Sequence, residues 1–267
     1  MKVLLLSAYD AHSHRRWRRG LVAAFPDWDW TVLALPPRNF TWRVRGNSLS
    51  WAFSERHTLE QPYDVVIATS MTDLSALRGM VPSLAAVPAL VYCHENQFDY
   101  PQQPERMQRN EPKVTSLYAM LAADRVLFNS AYNRAGLLDG ARAFLEQMPD
   151  AVPPGVIEQL AEKTAVVPVP LEAVWYEPSP PREGPFTLVW NHRWEFDKAP
   201  ERLFAALSKL RAAGVEFRVH VVGQQFRQQP AVFADNYRKL EGFIGQWGFV
   251  EAEEDYRQLL RSSHVVL

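Results

Sequence analysis

The sequence has a single cysteine among its 267 residues, Cys93. One cysteine can form neither an intrachain disulfide nor a cysteine-only zinc site, and this favours a reducing compartment over secretion. No apolar run approaches the ~20 residues that cross a bilayer, and the first run, residues 3–6, is too short for the core of a signal peptide. We therefore expect a cytoplasmic protein that does not bind membranes.

The sequence also lacks a strong charge imbalance, since 29 basic residues face 30 acidic ones. With 47% hydrophobic residues, this composition excludes a disordered tail, a histone-like binder and a collagen-like chain. The charge is unevenly spread, because residues 1–60 hold nine basic and five acidic residues. We expect a polyanion to meet this part first; a solvated, arginine-rich helix face is the alternative.

Glycine-rich nucleotide motifs are missing. No G-x-G-x-x-G or P-loop pattern follows any apolar run, which argues against dinucleotide oxidoreductases and P-loop kinases. Polar residues replace the glycines after the first run, namely Asp10, His12, Ser13 and His14, so an acceptor is expected there rather than a cofactor pyrophosphate. Asp27 and Asp29 form a D-x-D pair that suits a divalent cation, but the pair precedes an apolar run, and we predict no metal.

Short apolar runs alternate with helical patterns along the whole chain. The runs lie at residues 3–6, 30–35, 65–68, 89–93, 126–128, 165–169, 186–190, 217–222, 247–250 and 265–267. The helical patterns lie at 15–25, 114–123, 201–213, 232–243 and 255–261. Apolar runs without polar alternation are typical of parallel strands covered by helices on both faces. The sequence therefore predicts an α/β fold with doubly wound, Rossmann-like domains.

A proline-rich stretch divides the chain. Six prolines and Gly184 fall between residues 168 and 185, which indicates a linker. We predict an N-terminal domain over residues 1–170, a linker over 171–185 and a C-terminal domain over 186–267. The last of these is shorter than the roughly 100–150 residues of a common domain and ends inside a predicted strand. We therefore expect the chain to be a piece of a longer protein.

Two cations follow the first strand of the predicted C-terminal domain. Arg193 and Lys198 precede a helix that Pro200 opens. Ligands of open α/β sheets bind beyond the carboxyl ends of the strands, where helix N-termini present free N–H groups to anions. We predict that both cations hold a diphosphate and stabilise its departure. The alternative is a surface salt-bridge cluster with Glu195 and Asp197.

Weaker signals follow two other strands. Gly223 marks the next strand-to-loop turn, before Gln225, and glycine lets a backbone approach a ligand closely, although such a glycine is more often only a turn residue. In the first domain four polar residues follow the strand at 89–93: His94, Glu95, Asn96 and Gln97. His94 and Glu95 are predicted to orient sugar hydroxyls or shuttle a proton, with a loop-capping role as the alternative.

Arginine and aromatic residues are interleaved in residues 38–45. We interpret this segment as an aromatic loop carrying Arg38, Phe40, Trp42, Arg43 and Arg45. Arginine pairs with phosphates, and tryptophan or arginine planes stack on unpaired bases. The segment therefore indicates binding of single-stranded RNA loops.

Several motifs together carry a family resemblance: Leu35-Pro36, Trp42-Arg43-Val44-Arg45, His94-Glu95-Asn96-Gln97, Tyr100-Pro101, Phe128-Asn129-Ser130, His192-Arg193-Trp194-Glu195, Asp197-Lys198 and Trp247-Gly248. From the first predicted strand to the last residue, the chain resembles the tRNA-queuosine α-mannosyltransferase family. That family belongs to the group 1, retaining glycosyltransferases of GT-B architecture, which have two Rossmann-like domains facing a cleft.

The resemblance implies transfer of mannose from GDP-mannose to queuosine at the wobble position of tRNA-Asp, with retention of configuration and without a cofactor or metal. It implies three catalytic residues, Arg193, Lys198 and His94. The implied donor-binding residues are His192, Arg193, Lys198, Gly223 and Gln225. The implied acceptor-binding residues are His12, Ser13, His14, Arg38, Trp42, Arg43, Arg45, Asn96 and Gln97.

One feature of the family pattern is missing. The retaining group carries a glutamate pair, E-x7-E, after the strand that here ends at Leu267, so we expect this chain by itself to be inactive or nearly so. Two alternatives stay open: a group 1 transferase with a small glycan or lipid acceptor, and a non-catalytic RNA-binding module on the same fold.

Overall fold

The computed structural model describes residues 1–99, 110–179, 182, 184–226 and 229–267. The chain divides into two compact units, Met1–Pro170 and Leu171–Leu267. Tyr100 and Pro101 of the family motifs, and Pro180 and Pro181 of the predicted linker, lie outside the described residues. Each unit is built on its own parallel sheet.

Unit 1 contains a six-stranded parallel sheet in the order β2-β1-β3-β4-β5-β6. Its strands are β1 (Lys2–Ser7), β2 (Asp29–Ala34), β3 (Val65–Thr69), β4 (Ala89–Cys93), β5 (Arg125–Phe128) and β6 (Thr164–Val166). The predicted run at 165–169 ends earlier than expected, because Pro168 cannot donate a ladder hydrogen bond. β1 is the switch point of the sheet, since the chain leaves it for β2 on one side and returns to β3 on the other.

The helices of unit 1 are α1 (His12–Ala24), α2 (Phe40–Ser54), α3 (Arg56–Leu59), α4 (Leu74–Met80), α5 (Glu111–Ala122), α6 (Ala131–Glu146) and α7 (Val156–Glu162), with a 3-10 turn at Pro82–Leu84. Side chains of β1 alternate between two core clusters. Leu4 and Leu6 belong to one cluster, and Val3 and Leu5 to the other. Both faces of β1 are therefore buried, which explains its unbroken apolar sequence and confirms the doubly wound prediction.

The prediction of an aromatic loop over residues 38–45 is wrong. Asn39 has a left-handed backbone (φ 54°), and α2 begins directly after it, so Trp42, Arg43 and Arg45 lie on the first two turns of a helix. Residues 40–45 contain neither proline nor glycine, and arginine and aromatic side chains are compatible with a helix. Only Arg38 remains in the loop before it.

Cys93 ends β4 and is 2% exposed. Burial raises the pKa of its thiol, with a smaller contribution from the charge of Glu95. The thiol is therefore held protonated and inert in the folded unit.

Unit 2 contains a four-stranded parallel sheet in the order β10-β7-β8-β9. Its strands are β7 (Thr187–Asn191), β8 (Arg218–Val222), β9 (Ile244–Gly248) and β10 (Val265–Val266). Its helices are α8 (Pro200–Ala212), α9 (Val232–Tyr237) and α10 (Glu253–Ser262), with 3-10 turns at Ala173–Tyr176, Phe196–Lys198 and Arg238–Phe243. Part of the predicted linker belongs to this unit, because Glu177 pairs with Arg261 of α10 at 3.1 Å.

Two boundaries in unit 2 differ from the sequence predictions. The strand predicted at 247–250 lies earlier in the chain, at Ile244–Gly248, because Gly248 has a positive φ (101°) that ends β9. The helix predicted around 232–243 consists of α9 followed by a 3-10 turn. The core of the unit is aromatic, with Trp194 stacked on Phe233 at 4.2 Å between ring centroids.

Among the described residues, the helices are too short or too polar to span a bilayer.

Gly223 is the tightest backbone position of unit 2. It follows β8 with φ 148°, and a Cβ built there would overlap the carbonyl oxygen of His192. The N–H of Gly223 donates to the Gly248 carbonyl at 3.2 Å. Glycine is therefore required here because the loop after β7 closely approaches the loop after β8. This explains Gly223 by packing within the fold, without contact to a ligand.

We predict that Gly223→Ala lowers the free energy of unfolding by about 2 kcal/mol or more, because the new Cβ clashes with main chain and the backbone is strained. Gly20→Ala is the control: Gly20 lies inside α1 with open space around it, and alanine there is expected to stabilise by up to about 1 kcal/mol. Urea denaturation of both variants measures this. Equal stability of the Gly223→Ala variant and the wild type would contradict the clash.

Candidate functional site

Polar side chains of unit 1 gather where β1, β3 and β4 end. Parallel strands end at the same edge of a sheet, so residues far apart in sequence become neighbours there. His14 comes from the first turn of α1, and His94 and Glu95 follow β4. These two segments were predicted separately, and the structure brings them into contact.

The centre of this edge is a compact cluster of His14, Glu95 and His94. The Nε2 atom of His14 lies 3.0 Å from Oε2 of Glu95. The rings of His14 and His94 are stacked with centroids 4.1 Å apart, and His94 also packs edge-on against Trp17 at 4.9 Å. Trp17 in turn stacks on Tyr92 at 4.4 Å. Tyr92 also lies against His94, with ring centroids 4.8 Å apart, so three aromatic rings pack around the imidazole.

Burial sets the protonation of this cluster. It lowers the pKa of His94 to about 3, and the neighbouring His14 charge contributes in the same direction. Burial alone would raise the pKa of Glu95, but hydrogen bonds and charges, chiefly those of His14, outweigh it and lower that pKa. Nε2 of His94 is buried and has no hydrogen-bond partner among the described residues. His94 is thus a neutral imidazole with one unused nitrogen. This nitrogen can accept a hydrogen bond from a hydroxyl or donate one to it.

Two asparagines hold the chain after β4. Asn129 donates to the His94 carbonyl at 2.9 Å, and Asn133 donates to the Cys93 carbonyl at 3.1 Å. Asn129 also accepts from Asn133 at 2.9 Å. Sequence reasoning missed Asn133. The signal lay in the Phe128-Asn129-Ser130 motif, because Ser130 caps α6 by accepting from the Asn133 N–H at 3.1 Å.

A buried acid, Asp10, lies after β1. Asp10 accepts two hydrogen bonds from Arg18, at 2.8 and 3.0 Å, and one each from Arg15 at 3.1 Å and Ser7 at 3.0 Å. Burial alone would raise the pKa of Asp10, but these donors outweigh it and lower that pKa. Arg15 and Arg18 are therefore both held by Asp10, Arg18 with 15% and Arg15 with 44% of its side chain exposed. The solvated helix face of the alternative interpretation stays open for Arg15 and Arg19.

The other predicted acceptor-binding residues near this edge do not belong to the histidine and glutamate cluster. His12 and Ser13 are exposed on the first turn of α1, and Gln97 is half-buried. Asn96 shapes its own loop, because it donates to Asp99 at 2.8 Å and accepts from the Phe98 N–H at 2.9 Å.

The four residues predicted to bind RNA differ sharply in environment. Arg38 is exposed, and Trp42 is 55% exposed with its ring against Gly46. Arg45 forms ion pairs with Asp73 and Glu111, both at 2.9 Å. Arg43 is buried, with 9% of its surface exposed. The structure therefore does not bring them together as one exposed patch.

The cations of unit 2 meet at one carboxylate. Nζ of Lys198 lies 2.9 Å from Oδ2 of Asp197, and Nη2 of Arg193 lies 3.8 Å from the same oxygen. Arg193 also pairs with Glu195 at 2.8 Å. The Asp197 side chain is only 4% exposed, whereas both cations reach solvent. The salt bridges of the alternative interpretation thus form, and they place both cations on the same side of the loop.

The remaining donor-binding candidates flank this loop. Nε2 of His192 lies 3.1 Å from the Leu267 carbonyl oxygen, and Gln225 is exposed beside Gly248. The loop itself is tied to the next strand by the Trp194 N–H, which donates to the Gln224 carbonyl at 2.9 Å. Gly223 permits that contact.

Metal ligands are not grouped in the described part of the chain, where no set of three or more histidine, cysteine or acidic side chains could hold an ion. Asp29 begins β2, so Asp27 and Asp29 lie at the amino end of the strand, opposite the edge that carries the polar cluster.

Comparison with known sequences decides the family. A family profile described as tRNA-queuosine alpha-mannosyltransferase N-terminal matches residues 2–171. The sequence is also 30% identical to a tRNA-queuosine alpha-mannosyltransferase of Drosophila melanogaster, over 99% of this chain and 72% of that protein. The chain belongs to the tRNA-queuosine alpha-mannosyltransferase family. The predicted family is thereby confirmed, and the chain is a glycosyltransferase.

Solved structures bear out the fold predicted for this family. The apo form of lipopolysaccharide outer core galactosyltransferase WaaB is similar with a TM-score of 0.55 and 14% identity, over 100% of this chain and 73% of that chain. The apo structure of OtsA gives a TM-score of 0.57 and 12% identity, over 99% and 77%. At such low identity the likeness concerns the fold alone, and it confirms the GT-B, Rossmann-like class.

We predict that His94 makes this family member less stable in mild acid. The folded state binds no proton at His94 until about pH 3, whereas the unfolded chain binds one near the usual pKa of 6.5. The free energy of unfolding therefore falls as pH decreases from 6.5 towards 3. Urea denaturation at about pH 7 and about pH 5 measures this slope.

His94→Phe keeps the ring but removes the titration, so its stability is expected to depend less on pH. His57→Gln, at an exposed position of α3, serves as the control and should keep the wild-type slope. A wild-type slope in the His94→Phe variant would contradict the assigned protonation.

Proposed function

We propose that the protein transfers mannose from GDP-mannose to queuosine at the wobble position of tRNA-Asp, with retention of configuration. Membership of the tRNA-queuosine alpha-mannosyltransferase family supports the acceptor and the sugar. The observation that carries the donor site is the convergence of Arg193 and Lys198 on Asp197. We place the reaction in the cytoplasm, where its RNA substrate would be modified.

Arg193 and Lys198 would neutralise the diphosphate of the donor. The buried Asp197 carboxylate holds one Lys198 hydrogen and attracts one edge of the Arg193 guanidinium, and both side chains still reach solvent. A guanidinium can bind two phosphate oxygens while an ammonium adds a mobile charge. Two protein cations would supply the charge stabilisation that a metal supplies elsewhere, so no metal or cofactor is part of the proposal.

The neutral imidazole of His94 would contact the transferred sugar. Its unused Nε2 atom suits a sugar hydroxyl better than a phosphate oxygen, because a neutral nitrogen can act as acceptor or donor according to its tautomer. The stacked His14 and Trp17 rings would hold the imidazole in place. Acceptor binding would use the remaining polar residues of unit 1, with His14 acting through Glu95.

Retention would follow from attack on the same face that the diphosphate leaves. The bond between the anomeric carbon and the phosphate oxygen breaks, and the bond to the acceptor hydroxyl oxygen forms through an oxocarbenium-like state. The leaving phosphate takes the hydroxyl proton, and GDP is released. Such a step depends on charge stabilisation more than on a strong enzymic base.

Transfer can be tested by mass spectrometry. The full-length protein, GDP-mannose and queuosine-containing tRNA-Asp are expected to give RNA with one added hexose. The same tRNA with guanosine at the wobble position is the matched control and should stay unmodified. Tight RNA binding without added mass would instead favour a non-catalytic RNA-binding module. Hexose transfer to a small glycan or lipid would favour a group 1 transferase with a small acceptor.

We predict that Arg193→Ala or Lys198→Ala lowers turnover roughly 10²-fold or more, because each removes a preorganised charge from the departing diphosphate. Lys209→Ala, an exposed lysine in the last turn of α8, is the control and should retain wild-type turnover. Steady-state kinetics with GDP-mannose, together with urea denaturation to exclude unfolding, measure the effect. Unchanged kinetics in both variants would remove these residues from the donor site.

A further inference from the structure

One face of α2 lies over the switch point of unit 1. Phe40 packs edge-on against Tyr9, which follows β1, with ring centroids 5.4 Å apart. Asn47 donates to the Met71 carbonyl, beyond β3, at 3.2 Å. Positions 40, 43 and 47 are spaced by three and four residues, so they share one helix face. Arg43 is therefore placed between the contacts to the β1 loop and to the β3 loop.

This placement matters because β1 and β3 are neighbours in the sheet, and the chain leaves β1 towards β2 on one side but leaves β3 towards β4 on the other. At such a point the two loops separate and leave a crevice beyond the strand ends. Ligands of open α/β sheets bind in that crevice. Arg43 thus lies at the position in unit 1 where topology favours a ligand.

Arg43 is a largely buried cation, and no acid in the described part of the chain forms an ion pair with it. It is 9% exposed, and its Nε atom is inaccessible and lacks a hydrogen-bond partner among the described residues. The acids that follow β1 and β3 are already engaged, Asp10 by two arginines and Asp73 by Arg45. A guanidinium stays charged in proteins, and a buried N–H without an acceptor is unfavourable. An anion at this position would supply the acceptor that the Nε–H of Arg43 lacks.

We propose that Arg43 binds a phosphate group at the switch point of unit 1. The planar guanidinium fits two phosphate oxygens. The source of the phosphate follows from the proposed function. It is either the RNA backbone of the acceptor or the diphosphate of the nucleotide sugar. The excess of basic residues over residues 1–60 favours the RNA backbone.

Thermal denaturation of the full-length protein with inorganic phosphate tests the site without requiring turnover. Phosphate is expected to raise the wild-type Tm above the value in sodium chloride of equal ionic strength. Arg43→Met should lose a clear part of this phosphate-specific shift, the remainder coming from the proposed Arg193 and Lys198 site, and without phosphate it should melt no lower than the wild type, because a buried donor without an acceptor has been removed. Arg142→Met is the control, near the C-terminal end of α6 and paired on the surface with Glu158; it should keep the shift.

Kinetics separate the two sources of phosphate. If the RNA backbone is bound, Arg43→Met raises KM for queuosine-containing tRNA roughly tenfold or more and leaves KM for GDP-mannose unchanged. If the donor diphosphate is bound, the two effects are exchanged. Arg43→Lys keeps the charge and should recover part of the lost affinity in either case.

Three results would overturn the proposal: a full phosphate shift in Arg43→Met, no phosphate-specific shift in the wild type, or failure of both the Met and the Lys variants to fold. The last would make Arg43 a structural residue. An Arg43-dependent phosphate shift in a protein that transfers no mannose would instead uphold the site and refute the proposed function.

Discussion

Parallel pairing of short apolar strands is the constraint on which the polar sites depend. The strands β1, β3, β4 and β7 are almost entirely buried, so polar side chains can reach solvent only beyond the strand ends. In a parallel sheet these ends lie at the same edge. In unit 1 this brings His14 and Glu95 to within 3.0 Å although 81 positions separate them. In unit 2 the same rule places the Arg193 loop beside the β8 loop.

Buried or half-buried acids organise the cations of both units. Asp10 holds Arg15 and Arg18, Glu95 holds His14, and Asp197 holds Lys198 near Arg193. A buried carboxylate with several donors is fixed in place, and it fixes the donors in turn. Arg43 departs from this arrangement, because no acid of the described residues pairs with it and its buried Nε lacks a partner. The contrast separates cations that the fold has already paired from the one to which we assign a phosphate.

The sequence predicted the strands well because burial on both faces leaves an unambiguous apolar run. β4 matches residue for residue, whereas the prediction at β9 failed because the positive φ of Gly248 carries no signal in a single sequence. The loop predicted over residues 38–45 is a helix from Phe40 onwards. Interleaved arginine and aromatic residues indicate which ligand could bind, but they do not indicate the backbone conformation. The Arg193 and Lys198 pair was predictable from one loop, but the His14 and Glu95 pair was not, because it depends on which strands are neighbours. The burial that distinguishes Arg43 from Arg45 is likewise a property of packing.

The chain carries its only cysteine directly before His94, at the end of β4. In the folded unit that sulfur is buried in the hydrophobic core of unit 1 and protonated, while Asn133 holds the Cys93 carbonyl. Alkylation by a thiol reagent can therefore occur only when the core opens at the end of β4. The native protein thus contains a single-site chemical reporter of local opening beside the histidine cluster, and no engineered label is needed to follow it.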